Sequence, residues 1–416
     1  MLHGNGAGSS RTILRAGQLA RALGTDATVD LGWSTTTVTV ADQAVTVRAM
    51  PTTIGMNRVF AVDQAIAAMQ AGDASAVRTR ETIRDAASLP LTNIWLFAVA
   101  CAVGAAALAL IFGADNWEVL ALVAQTAGAG AFLRRGIGRL GASTLWQVGA
   151  AALLAGLVGA AAMRFGDPSM VMLVAVCPCM VLIPGPHLLN GLFDLAHLRI
   201  PLGLARLTFG ALTLLAIGTG LMIGLAFGGD ALPVDPPTAF APLWLDVFAA
   251  GIVAVCYGIF YNAPLRILYW PLLVGAAVHA LHWVSLEVWR LEPYVAAGIV
   301  CLVAGSILIP VSNRFFVPFS AIGFASVVSL VPGLLIFAAL AAFTQLHAAT
   351  GEQALRLVVG LADDTSTAAL TLFAMAVGFL IPGSLLGRRW RSSEPPATHT
   401  VTGSNTPPRT PPSRGG

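Results

Sequence analysis

Beyond about residue 91 the apolar residues of this chain stop alternating with polar ones and run together in long stretches, a pattern that ends near residue 390. A helix needs about 20 apolar residues to cross a bilayer. On that measure ten spans are predicted, near 93–113, 117–133, 145–163, 169–189, 205–227, 242–260, 266–284, 293–311, 316–342 and 367–387. The first 90 residues read differently. Ser9 or Ser10 is placed to cap a helix that runs to Leu23 and stops at Gly24; Ile13, Ala16, Ala20 and Leu23 share one face, and Arg11, Arg15 and Gln18 share another. Runs rich in Thr and Val at 35–40 and 43–48 predict strands. Helical periodicity returns at 57–70 and 74–87.

The chain therefore divides into an α/β unit over 1–90, a first membrane half over 91–228, an outer linker over 229–241, a second half over 242–390 and a tail over 391–416. The tail is rich in Pro, Ser, Thr and Gly and is predicted to be disordered. The fold class is an all-α polytopic membrane protein preceded by a small α/β region.

Composition supports that division. Of 416 residues, 56% are hydrophobic and only 10% are charged, against roughly 25% charged in soluble domains. A net charge of +3 is too small to suggest a nucleic-acid partner, and the 23 basic residues are all Arg, a bias that reads as genome base composition. Residues 1–20 contain Arg11 and Arg15 and no continuous apolar core, so no cleavable signal peptide is expected. Eight of the nine tryptophans, all but Trp33, fall at or near span ends, where an interfacial belt would put them.

Arginine sets the orientation. With the N-terminus inside, the inner loops and C-terminal flank hold Arg134, Arg135, Arg139, Arg199, Arg206, Arg266, Arg314, Arg388, Arg389 and Arg391, and the outer loops hold Arg164, Arg290 and Arg356. That asymmetry predicts both termini in the cytoplasm. The spans also repeat: Pro184-Gly185 in the first half is matched by Pro332-Gly333 in the second, and spans 1 and 6, or 3 and 8, begin about the same interval apart. Five spans per half would place the halves in opposite orientations, the inverted repeat in which secondary transporters build sites from broken helices.

The first break is the richest in chemistry. Pro184, Gly185 and Pro186 interrupt the hydrogen-bond ladder of the fourth span, and Pro186 suits the first turn of a new helix. On that second segment Asn190, Asp194 and His197 stand at i, i+4 and i+7 and share a face. Freed N–H groups at Leu188 and Leu189 would suit a substrate carboxylate, Asp194 an ammonium or a proton, and Asn190 a hydroxyl. The competing reading puts this segment outside the membrane, with Asp194 and His197 merely solvated. Asp246 near the start of span 6 is a further candidate, because a carboxylate at membrane depth is costly. His279 and His282, beside an outer loop, read as surface-seeking, and Gly220 with Gly224 as a tight helix-packing pair.

All five cysteines fall in apolar segments and read as small hydrophobes. Cys177-Pro178-Cys179 is similar to the metal-passing triplet of heavy-metal P-type ATPases. Such a pump also needs an Asp-Lys-Thr-Gly phosphorylation sequence and a large nucleotide domain. The nearest string here is Asp364-Thr365-Ser366-Thr367, and no loop holds such a domain. Residues two apart on an intact helix point to nearly opposite sides, so no metal and no cofactor are expected. No nucleophile–base pair marks the chain as an enzyme.

The stretches GNGAGSSRTILRAGQLARALG (4–24), MNRVFAVDQAI (56–66), IPGPHLLNGLFDL (183–195) and LVPGLLIF (330–337) resemble, in order, those of the threonine/serine exporter family. The resemblance implies ten spans in two halves behind a polar head. It also implies export of small amino acids driven by the proton-motive force across a bacterial inner membrane. The matching positions are Pro184, Gly185, Asn190 and Asp194 in the first half and Pro332 and Gly333 in the second. Relatives implicated in dicarboxylate export make succinate the alternative substrate, and a non-transporting scaffold subunit is the other alternative. The expected partners are an amino acid, protons and the lipid bilayer, and a homo-oligomer is compatible with the pattern.

Overall fold

The computed structural model describes residues 1–164, 168–229, 231–232 and 241–392, with side chains left out at 168–171 and 387–392. Most of the expected outer linker, nearly all of the expected disordered tail, and the side chains of Arg388, Arg389 and Arg391 in the orientation count lie outside the described residues.

The N-terminal unit folds as α1 (Ser9–Ala22), β1 (Ala27–Leu31), β2 (Thr35–Val40), β3 (Gln43–Arg48), α2 (Met56–Gln70) and α3 (Ala76–Ser88). Gly24, at φ 74, ends α1 where a side-chained residue would be strained. The expected serine cap is absent: Gly8 occupies the N-cap of α1 without a side-chain bond, which leaves the Ser9 hydroxyl for another partner. The strands form one antiparallel sheet in the order β1-β2-β3. β1 went unpredicted; its alternation Thr28, Val29, Asp30, Leu31 is too brief a signal beside the Gly24 turn.

The remaining helices are α4 (Ile94–Ile111), α5 (Trp117–Arg139), α6 (Thr144–Met163), α7 (Pro168–Met180), α8 (Gly185–Ala196), α9 (Ile200–Ala226), α10 (Leu243–Phe260), α11 (Tyr269–Glu287), α12 (Pro293–Arg314), α13 (Phe319–Ser326), α14 (Gly333–Gln345) and α15 (Gly351–Ser392). Among the described residues eight helical segments are long and apolar enough to cross a membrane. A ninth appears if α7 and α8, bent by 54° at their junction, count as one span. The chain is a helical polytopic membrane protein. Sequence counted ten spans because it included 117–133. That stretch is a full helix, α5, but Glu118, Gln125, Arg134 and Arg135 make it less apolar than the others.

The two Pro-Gly breaks have one geometry. Pro184 sits at φ −80, ψ 54 and Pro332 at φ −74, ψ 59. Gly185 N–H donates to Ile183 O at 2.8 Å and Gly333 N–H to Val331 O at 2.6 Å; Leu182 N–H donates to Cys179 O and Leu330 N–H to Val327 O. Each of these bonds at one break has its counterpart at the same position of the other. In both halves the third helix packs along the last, α6 on α9 and α12 on α15. Close backbone approach makes that possible. A Cβ on Gly224 would lie 2.4 Å from Leu153 O, and one on Gly378 2.5 Å from Gly298 O. Gly224 thus does what its spacing from Gly220 predicted.

The N-terminal unit is bolted to one end of the bundle. Met56 and Asn57 N–H donate to the carbonyls of Tyr261 and Asn262, and the Asn262 amide donates to Ile54 O at 2.7 Å. Gln64 bonds Phe315 O. Arg11 and Arg15 of α1 grip Asp63 of α2 at 2.7 and 3.1 Å, Arg11 also reaches Ser312 of α12, and Arg15 lies over the Phe316 ring. At the ends of α10 and α12 that meet this unit stand Arg266, beyond α10, and Arg314, the last residue of α12, two of the arginines in the orientation count.

Candidate functional site

The break at Pro184 starts α8 inside the protein, where Pro186 in its first turn lacks an N–H that would have no partner there. Leu188 and Leu189 are buried, and Asn190 and Asp194 on the polar stripe are buried within the protein as well. Asp194 is 2% exposed and meets a concentrated set of partners. The Ser9 hydroxyl donates to its Oδ2 at 2.9 Å, Arg199 Nη1 lies 3.2 Å from Oδ1, and Arg206 Nε lies 3.0 Å from Oδ2. The Arg206 contact is a charge contact and not an aligned hydrogen bond. Arg199 also donates to Ser10. Arg206 is 0% exposed. Its burial on an apolar helix depends on that pairing, since an isolated buried charge costs several kcal/mol.

Asn190 lies one turn before Asp194 and is also buried; a Cβ on Gly8 would come within 3.2 Å of its Oδ1. The N-terminal turn therefore lies directly on the stripe. His197 does not join it. It caps the end of α8, exposed, with Nδ1 on Phe193 O at 2.7 Å.

Around this group stand buried rings. His187 packs edge-on against Phe209, which also meets Trp33. His3 is buried with Nε2 on Gly32 O. Burial, and then the charge of Arg206, push the His3 imidazole down to about 4. The Nδ1 atoms of His3 and His187 have no hydrogen-bond partner among the described residues.

The two breaks meet each other. A Cβ on Gly185 would touch Val331, and one on Gly333 would press on Ile183, so each glycine faces the residue two positions before the other. Tyr257 of α10 donates its hydroxyl to Met180 O at 2.9 Å beside this seam. A cavity of about 10 Å³ remains, lined by Met180, Ile183, Gly185, Tyr257, Val328 and Val331. That is room for about one water. The seam is closed to anything larger.

Asp246 stands apart, at the opposite end of the bundle from the N-terminal unit. It is 5% exposed and lies 2.5 Å from Nδ1 of His279, itself 3% exposed. The sequence reading of His279 as surface-seeking is thus corrected; the carboxylate on the neighbouring helix holds it inside. Cys177 and Cys179 are buried, and no group of His, Cys, Asp and Glu among the described residues is arranged to hold a metal ion.

Ser9, Arg206, His187 and Tyr257 were not read from the sequence as site residues. Arg206 carried a usable signal. An arginine several residues into an apolar run is a functional or pairing candidate by default, and it was counted instead as part of a loop. Ser9 carried none, because its bond to Asp194 spans 185 residues.

Neither curated proteins nor solved structures yield a match to this chain. Two family models do match: the threonine/serine exporter model ThrE over residues 1–228, and a second, described as Threonine/Serine exporter, ThrE, over residues 246–385. They divide the chain between α9 and α10, where the two halves part. The chain belongs to the threonine/serine exporter family.

Proposed function

We infer that this protein is a proton-motive-force-driven secondary exporter of small amino acids, threonine and serine foremost, in a bacterial inner membrane. Ten crossings, with α5 as the second, form two inverted halves. Both termini are then cytoplasmic, and the N-terminal unit covers the inner face. The observation that carries this reading is the reciprocal packing of two equally built breaks, Gly185 on Val331 and Gly333 on Ile183. Broken helices from paired halves are where such transporters hold substrate.

Substrate passes along the seam of Pro184, Gly185, Pro332 and Gly333 once it widens. At its inner mouth Asn190, Asp194 and the two arginines offer a zwitterion what it needs: a carboxylate for the ammonium, guanidinium for the carboxylate and an amide for a hydroxyl. Ser9 holds these groups in the closed form. His197, exposed at the end of α8, has no part in that mouth.

The test is efflux of labelled threonine and succinate from loaded proteoliposomes, with and without a pH gradient, for wild type and Asp194→Asn. Gradient-driven threonine efflux that the variant loses supports the reading. Succinate efflux alone would replace the substrate, and efflux of neither would leave a membrane scaffold.

A further inference from the structure

One buried pair is untouched by the seam. Asp246, in the first turn of α10, and His279 of α11 meet at 2.5 Å, and the His282 ring lies 5.5 Å from that of His279. His282 is only half-buried, so the three form a step from the edge of the bundle to its interior, at the end away from the N-terminal unit. Little else charged faces them. α4 and α13, which pack on α10, carry no Asp, Glu, Arg or His, and α4 offers only the Cys101 thiol. α12 brings Tyr294 at the same end, with Cys301 and Arg314 further toward the other. Glu287 ends α11 and pairs at 3.8 Å with Arg290 in the turn beyond it, which also holds Glu292; Asp115 lies in the turn beyond α4. On the pair's own helices the remaining groups are Cys256, Tyr257 and Tyr269.

We propose that Asp246 and His279 form the proton-binding site that couples export to the gradient, with His282 as the relay from the outer side. This rests on the exporter reading above. Empty, the pair is a carboxylate accepting a bond from a neutral imidazole, with net charge −1. Loaded with one proton from the outer side, it is a carboxylate beside an imidazolium, with net charge 0. The two states differ by a full charge in a poorly solvated place, where such a difference bears strongly on helix packing.

Both helices of the pair reach the seam. α10 carries Tyr257, about 16 Å along the helix from Asp246, whose hydroxyl holds Met180 O at the first break. α11 presents Gly275 to Ser326, the last residue of α13 before the second break; a Cβ there would lie 3.4 Å from Ser326 O. A change in the grip between α10 and α11 is thus felt at both breaks. Asp194 is unsuited to the same work, because two guanidinium groups and Ser9 already engage it.

The experiment compares two rates in proteoliposomes of the full chain: threonine efflux driven by a pH gradient, and threonine exchange at equal pH. For Asp246→Asn and His279→Gln, gradient-driven acceleration should fall at least tenfold while exchange stays within about threefold of wild type. Asp246→Glu should keep part of the coupling. If both single variants fail to fold, His282→Gln, which leaves the pair intact, carries the test through slowed gradient-driven efflux and unchanged exchange. Retained coupling in the Asn and Gln variants, or equal loss of exchange and coupling in folded variants, overturns the proposal. Wild-type efflux that ignores the gradient overturns it while leaving an exporter, whereas no wild-type threonine flux at all overturns the exporter reading itself.

Discussion

Substituting Asp194 by Asn removes the charge that balances Arg206 while keeping size and shape. Arg206 is 0% exposed, and breaking a buried ion pair by deleting one member costs about 3–5 kcal/mol, because the other charge stays buried without its counter-ion. Arg199 adds little, being partly solvated. The Ser9 bond contributes about 1 kcal/mol, part of which the Asn oxygen recovers. The N-terminal turn covers Arg206, whose Nη2 lies 3.5 Å from Ser9 Oγ, so lifting that turn lets water reach the stranded charge and relieves the cost; a difference of about 1.4 kcal/mol is a factor of ten in an equilibrium constant. Hydrogen exchange of the α1 amides should therefore speed up by about 10²- to 10³-fold in Asp194→Asn.

A second substitution tests the cause. Arg206→Met in the same chain removes the stranded charge and fills the space, and a buried pair replaced by apolar groups is often neutral or stabilising. The double variant should recover most of the lost protection. Exchange in Asp194→Asn within threefold of wild type would refute the reasoning. So would a double variant whose protection falls by the sum of the two single losses.

Gly224→Ala should lower the thermal unfolding temperature in detergent, since its Cβ would lie 2.4–2.8 Å from Leu153 O, Leu157 N and Gly156 Cα, all backbone, and only separation of α6 from α9 relieves that; overpacking of this kind costs about 1–3 kcal/mol or more, and an unchanged midpoint would contradict it. Docking of the N-terminal segment should weaken as pH falls. With the His3 imidazole at about 4 when docked and 6.5 when free, the free form takes up the proton first, so the contribution is complete above 6.5 and is lost on the way down to about 4. Proteolysis of residues 1–24 across that range should show the loss, and His3→Asn should flatten it.

How much of this could be read in advance differs from residue to residue. The Pro184 and Pro332 breaks were legible because a proline without an N–H cannot continue the ladder, whatever surrounds it. The common face of Asn190 and Asp194 was legible from helical spacing alone. What covers that face was not. Asp194 read as an open acceptor for substrate, and the structure fills it with Ser9 from α1 and with Arg199 and Arg206 from the start of α9. The same blindness misplaced His279, whose burial depends on α10 packing beside α11. At α5 hydropathy alone says less, because it weighs a helix by its own side chains, while the half-buried Arg134 lies beside the rings of Phe97 and Phe260.

The two halves share the geometry of their breaks but not its surroundings. Counted from the Pro-Gly pair, the positions in the second half that match Asn190 and Asp194 are Ala338 and Ala342, both buried and unable to hold anything by charge. Two halves built alike would give the bundle two mirror-related postures of nearly equal free energy. Only the first half offers Ser9 a carboxylate at its break. Opening toward that turn must first break the hold on Asp194, and opening away from it need not. In the proposed transport cycle the resting molecule is then weighted toward one posture, like a balance with a clip on one pan. Loss of the N-terminal turn would level the two sides and leave the moving parts themselves intact.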